Sequence, residues 1–130
     1  MGNELTVTSG DIAAMNAGGS LGDMIKPLIR EIHLFDTYAA GTSHLRDKSV
    51  LEDIKPGDGL KLRREDNEHD PNAVMLLSED GRKVGYIPRA DNIIFSRLMD
   101  AGKMLTARVS AVETTGNYTR VELGIYMVDF

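Results

Sequence analysis

Leu62-Arg63-Arg64-Glu65-Asp66-Asn67-Glu68-His69-Asp70-Pro71-Asn72-Ala73-Val74-Met75-Leu76-Leu77-Ser78-Glu79-Asp80-Gly81-Arg82-Lys83-Val84-Gly85-Tyr86-Ile87-Pro88-Arg89 is the stretch that decides the fold class. Its apolar residues come in short runs broken by turn chemistry, the pattern of strands rather than helices. Ser78-Glu79-Asp80-Gly81 places a glycine where a positive φ costs little, so strands over 72–77 and 82–87 should form a hairpin. The segment from Arg63 to Asn72 crowds charged groups and an imidazole between two apolar strands and is too polar to be core. Asn67, Asp70 and Asn72 are short side chains that bond nearby backbone, and Asp70-Pro71 favours a turn. A self-bonded connecting loop accounts for Pro71 and Asn72, whereas function competes with that reading at His69 and Asp70.

Outward from this stretch the β pattern continues. Further strands are expected over 31–38, 59–64, 103–112 and 118–128, with Thr115-Gly116-Asn117 turning the last hairpin. A single helical turn fits between Lys48 and Ile54, ended by Pro56-Gly57. A longer helix should fill Ala90 to Ala101: Asp91 or Asn92 can cap it, Ile94, Leu98 and Ala101 recur on one face, and Gly102 supplies a left-handed terminator. The expected fold is mainly β with one or two helices, a small closed barrel of the OB-like or SH3-like kind. Residues 1–30 read as an N-terminal arm with short helical segments separated by Gly18-Gly19-Ser20. Residues 31–130 read as the barrel domain. In the arm, Leu21, Met24, Ile25, Leu28 and Ile29 have helical spacing, interrupted by Pro27.

Composition narrows the function. A chain of 130 residues with 42% hydrophobic content suits one core. The absence of cysteine removes disulfides, thiolate metal sites and a cysteine nucleophile. No apolar run reaches the roughly 18 residues that span a bilayer, and Met1 to Gly10 lacks the pattern of a secretion signal, so a soluble, cytoplasmic protein without membrane association is expected. A formal charge of −5 argues against broad coating of duplex DNA, so any nucleic-acid contact must be local.

The second half of the opening stretch carries its own chemistry. Gly85 stands in a strand where another backbone may approach closely, and Tyr86 and Arg89 follow near the start of the helix. An aromatic ring can stack on a base, and a guanidinium can grip a phosphate through two parallel bonds. Tyrosine in a strand also serves as half-buried packing, and only its neighbourhood separates the two roles.

Leu62 to Val74 followed by Gly81-Arg82-Lys83-Val84-Gly85-Tyr86-Ile87-Pro88-Arg89 resembles the signature of the HIRAN domain family, with two motifs in order at family spacing. Tyr38-Ala39-Ala40-Gly41-Thr42 and Leu98-Met99-Asp100-Ala101-Gly102-Lys103 extend the likeness over about residues 31–128. Such domains occur attached to fork-remodelling helicases of the SWI/SNF type and as lone bacterial or phage proteins. The resemblance implies an OB-like barrel that captures the 3′ end of single-stranded DNA, in DNA repair, replication or a phage or plasmid setting. By position, Tyr38 would stack on a base, Asn67 and Asp70 would bond the terminal nucleotide and its 3′-hydroxyl, and Arg89 would meet a phosphate. Tyr118 would add a second aromatic surface, and His69 and Tyr86 complete the expected nucleic-acid-binding set. The helicase-attached domains carry an aromatic residue where this chain has His69 and a basic one where it has Thr37. Both departures lessen the grip on DNA.

Two other classes stand beside this one. In a metal-dependent phosphodiester hydrolase, Asp66, His69 and Asp70, with Glu65, would hold a divalent cation that activates water. No His-x-His, His-Glu-x-x-His or phosphate-cradling glycine loop accompanies the cluster, so no catalytic residue and no cofactor are expected. A protein-interaction module without DNA binding would use Phe35 or Met127 to Phe130 as anchors for a protein partner.

Overall fold

The structure, a computed structural model, describes residues 30–129. Residues 1–29 of the expected arm, with the interrupted helix expected from Leu21, lie outside the described residues, as does Phe130.

The elements follow the hydrophobic pattern. They are β1 (Arg30–Tyr38), a 3-10 turn (Thr42–His44), α1 (Val50–Asp53), β2 (Gly59–Arg64), β3 (Val74–Ser78), β4 (Lys83–Tyr86), α2 (Arg89–Asp100), β5 (Met104–Thr115) and β6 (Tyr118–Asp129). They form one antiparallel sheet in the order β1-β6-β5-β2-β3-β4. β3 starts at Val74 rather than Asn72, because Ala73 N donates to the Asp70 carbonyl and residues 70–73 are spent on a turn. Gly81 (φ 91°) and Gly116 (φ 61°) make the two hairpin turns in the left-handed conformation anticipated for them.

The register shifts at bulges between His33 and Phe35, Leu76 and Leu77, and Val109 and Ala111. Each extra residue bends its strand and sharpens the local twist. The mainly β sheet thereby curls into a half-barrel of OB-like form. Its two edges meet where Ala40, just past β1, pairs with Tyr86 at the end of β4: Ala40 N donates to Tyr86 O (2.8 Å) and Tyr86 N donates to Ala40 O (2.9 Å). This bridge supplies the barrel closure expected from the sequence. Gly85 permits it, since a Cβ there would stand 2.6 Å from the Ala40 carbonyl oxygen.

Leu76, Val74, Val84, Val109, Val121, Leu123 and Ile125 fill the inside of the curl and are fully or almost fully buried. Val50 and Leu51 of α1 join them, and α2 packs on β3 and β5 through Phe95. Burying such side chains contributes roughly 1.5–3 kcal/mol each.

The long helix departs from expectation in two ways. It begins at Arg89 after Pro88, and neither Asp91 nor Asn92 caps it. Pro88 (φ −55°, ψ 143°) is itself the extended residue from which the helix starts, so both side chains are released for other bonds. The buried stripe is Asn92, Phe95 and Ser96, while Ile94 is 63% exposed. The expected stripe of Ile94, Leu98 and Ala101 holds only for Leu98, which is partly buried.

Candidate nucleic-acid interface

The polar segment between β2 and β3 is held in shape by its own side chains. Asn67 Oδ1 accepts from the backbone N–H of His69 (2.9 Å) and of Asp70 (2.7 Å), and its Nδ2 donates to Glu65 Oε2 (2.8 Å). Asp70 Oδ1 accepts from Asn72 N (3.0 Å), closing the turn before β3. Asp70 Oδ2 accepts from Nδ2 of Asn92, which reaches over from α2 (2.8 Å). The self-bonded loop is therefore real, and it fixes the Asp70 carboxylate through a hydrogen bond to each oxygen.

A second brace comes from Arg64 at the end of β2. Its Nη1 and Nη2 donate to the carbonyls of Ala73 (2.8 Å) and Pro71 (3.0 Å), while Nε and Nη2 grip Asp100 at the end of α2 (2.9 and 3.2 Å). This bond holds the Asp100 carboxyl below the usual carboxylate range. One guanidinium thus ties strand, loop and helix together.

Above the loop, Tyr86 donates its hydroxyl to Glu65 (2.9 Å to Oε2) and accepts from Lys83 Nζ (3.0 Å), whose ammonium stands 4.3 Å from the ring centroid. Arg89, the first residue of α2, donates to the His69 carbonyl (2.7 Å), and its Nε is 3.6 Å from Asp70 Oδ2. Its side chain is still 75% exposed, and the His69 ring is 89% exposed. The Arg89 guanidinium is thus held by the loop, while most of its side-chain surface and of the His69 ring faces solvent.

These residues surround one cavity of about 490 Å³. That lies within the roughly 300–1,000 Å³ typical of small-molecule sites. Asn67, His69, Asp70, Tyr86 and Arg89 line it together, around a floor of Ala40, Ala73 and Ile87. Glu65, which entered the sequence reading only as a metal ligand, is a wall of the cavity and the acceptor for Tyr86. A larger cleft of about 590 Å³ elsewhere is lined by Glu31, Lys61, Glu79 and Arg108, and contains none of the motif residues singled out as a binding set.

Two of the expected residues lie apart. Tyr38 pairs with Glu122 in the sheet, carries the Arg120 guanidinium over its ring (4.6 Å) and does not line the cavity. Tyr118 is at the tip of the β5–β6 hairpin, opposite Thr115, and does not line it either. Thr37 donates to Asp91 of α2 (3.3 Å). Asp66, His69 and Asp70 do not converge: among the described residues no three His, Asp or Glu side chains come close enough to hold a metal ion. No described helix is long and apolar enough to cross a membrane.

Comparison with known proteins agrees with this architecture. The model of the HIRAN domain family matches residues 32–127. A crystal structure of a protein from Lactobacillus plantarum superposes with a TM-score of 0.72 at 25% identity, covering 78% of this chain and 99% of that one. The crystal structure of the HIRAN domain of human HLTF superposes with a TM-score of 0.59 at 14% identity, covering 75% of this chain and 78% of that one, a likeness of fold. No curated protein matches the chain.

Proposed function

Because the chain belongs to the HIRAN domain family, whose members are nucleic-acid-binding modules rather than catalysts, we propose that its cavity holds the free 3′ end of single-stranded DNA. The observation that carries this reading is the convergence of Asn67, His69, Asp70, Tyr86 and Arg89, from two separate segments, on one partly apolar cavity. Ala40, Ala73 and Ile87 give a sugar or base an apolar seat, and the Tyr86 and His69 rings offer stacking faces. The carboxylates of Asp70 and Glu65 favour a ligand that donates hydrogen bonds, as a terminal hydroxyl does, and repel a terminal phosphate. Arg89, three-quarters exposed, is the group for the first internucleotide phosphate.

The test is fluorescence anisotropy with one short single-stranded DNA ending in a 3′-hydroxyl or a 3′-phosphate. The hydroxyl end is expected to bind more tightly, and Asp70→Asn, which keeps the shape but removes the charge, should narrow the difference. Equal affinity of the wild-type protein for both ends would overturn the end-capture reading.

A further inference from the structure

On the far side of Lys83 from the loop lies a second cleft, of about 350 Å³, walled by His44, Leu45, Arg46, Asp47, Arg82 and Lys83. In a chain of formal charge −5 this is a concentration of cations. Its carboxylate, Asp47, is turned back on its own loop, accepting from the backbone N–H of Ser49 (3.0 Å) and from the Ser49 hydroxyl. Arg82 is spent on Asp53 (2.9 Å) and Asp80 (3.0 Å). Arg46 and Lys83 remain without a carboxylate partner among the described residues.

Lys83 links the two clefts. It lines the second one, and its ammonium touches the hydroxyl and ring of Tyr86, which lines the first. A strand whose end sits beside Asp70 and Glu65 must carry its remaining phosphates away from these carboxylates. Toward the outer loop it would meet the exposed Asp66 and Glu68. Toward Lys83 it meets positive charge that no carboxylate among the described residues pairs with.

Resting on the end-capture reading above, we propose that single-stranded DNA leaves the cavity across Tyr86, and that Lys83 and Arg46 hold the phosphates next inward from its end. The cleft is then the second half of the binding site and sets how much of a strand the protein senses.

The test compares a dinucleotide with an octanucleotide, each ending in a free 3′-hydroxyl, by anisotropy or by competition against a labelled strand. Arg46→Glu and Arg46→Gln are the variants; Arg46 is exposed and bonds nothing among the described residues, so the fold is retained. Lys83 is left in place because it also supports Tyr86. The wild type should bind the octanucleotide about tenfold or more tightly than the dinucleotide at low salt, and Arg46→Glu should lose most of that gain while its affinity for the dinucleotide stays the same. For the octanucleotide, loss of one phosphate contact in Arg46→Gln should reduce the slope of log affinity against log salt by about 0.7. A full length-dependent gain in Arg46→Glu overturns the track and leaves end capture standing. A wild-type protein that ignores the state of the 3′ end overturns both.

Discussion

Asn92, on the first turn of α2 and 3% exposed, donates from Nδ2 to the Asp70 carboxylate across 2.8 Å and so couples the helix to the polar loop between β2 and β3. Removing that donor leaves an anion under-satisfied at a partly buried position. Asn92→Ala is expected to cost about 1–3 kcal/mol. The measurement is urea unfolding, where the midpoint should fall with an unchanged slope. Asn92→Asp should cost more, because it sets a second carboxylate against Asp70.

Gly85 and Gly59 make a matched pair. A Cβ on either would meet an oxygen at 2.6 Å, but at Gly85 it is the Ala40 carbonyl of the barrel bridge, whereas at Gly59 it is the end of the Glu79 side chain. Gly85→Ala must therefore move backbone and should destabilise by roughly 1–3 kcal/mol or more. Gly59→Ala needs only a rotamer change at Glu79 and should lie within about 0.5 kcal/mol of wild type on this score. Thermal unfolding of the two variants side by side decides it.

Acid should loosen the brace around the loop. Asp100 has its folded pKa lowered below the usual carboxylate value, chiefly by the bond from Arg64. A depressed carboxylate stabilises the folded state fully above its unfolded pKa, and that stability is lost as pH falls from there through the folded value. Stability should thus be flat on this account from neutrality to just above 4 and fall below it. In Asp100→Asn that part of the fall should be absent, as read from unfolding midpoints across an acid series.

The aromatic residues should separate by position. Tyr86 lines the cavity and Tyr118 does not. Tyr86→Ala is expected to weaken binding of a 3′-terminal dinucleotide by roughly 1–3 kcal/mol. Tyr118→Ala should leave it nearly unchanged. A loss at Tyr118 equal to that at Tyr86 would move the site toward the β5–β6 hairpin.

Much of this was legible in the sequence. The strands were written in short apolar runs, both hairpins in Gly81 and Gly116, and the close approach at Gly85 in a glycine out of place in a strand. The lining of the cavity was legible where its residues lie near one another along the chain, from Asn67 to Arg89. It failed where a partner comes from a distant element. Asn92 reads as a helix cap from its neighbours alone, yet it turns inward to Asp70. Ser96 likewise lies fully buried, with its hydroxyl 3.5 Å from Asn72 Oδ1. A helix that supports a polar loop buries a polar stripe, and hydropathy spacing then selects the wrong face. Arg64 gave no signal either, since its fork to Pro71, Ala73 and Asp100 exists only once strand, loop and helix are assembled.

The Ala40–Tyr86 bridge has a consequence for the order of assembly. The β5–β6 hairpin joins residues close in sequence and can zip early, whereas this bridge joins distant ones and must await nearly all of the sheet. Ala40 and Tyr86 also line the cavity, so the pocket is completed by the closing step itself. Partly assembled chains then lack the cavity, and on the end-capture proposal a strand end held there acts as a latch: it draws the population toward the closed form, and the amide protons of Ala40 and Tyr86 become the clock by which that latch can be timed.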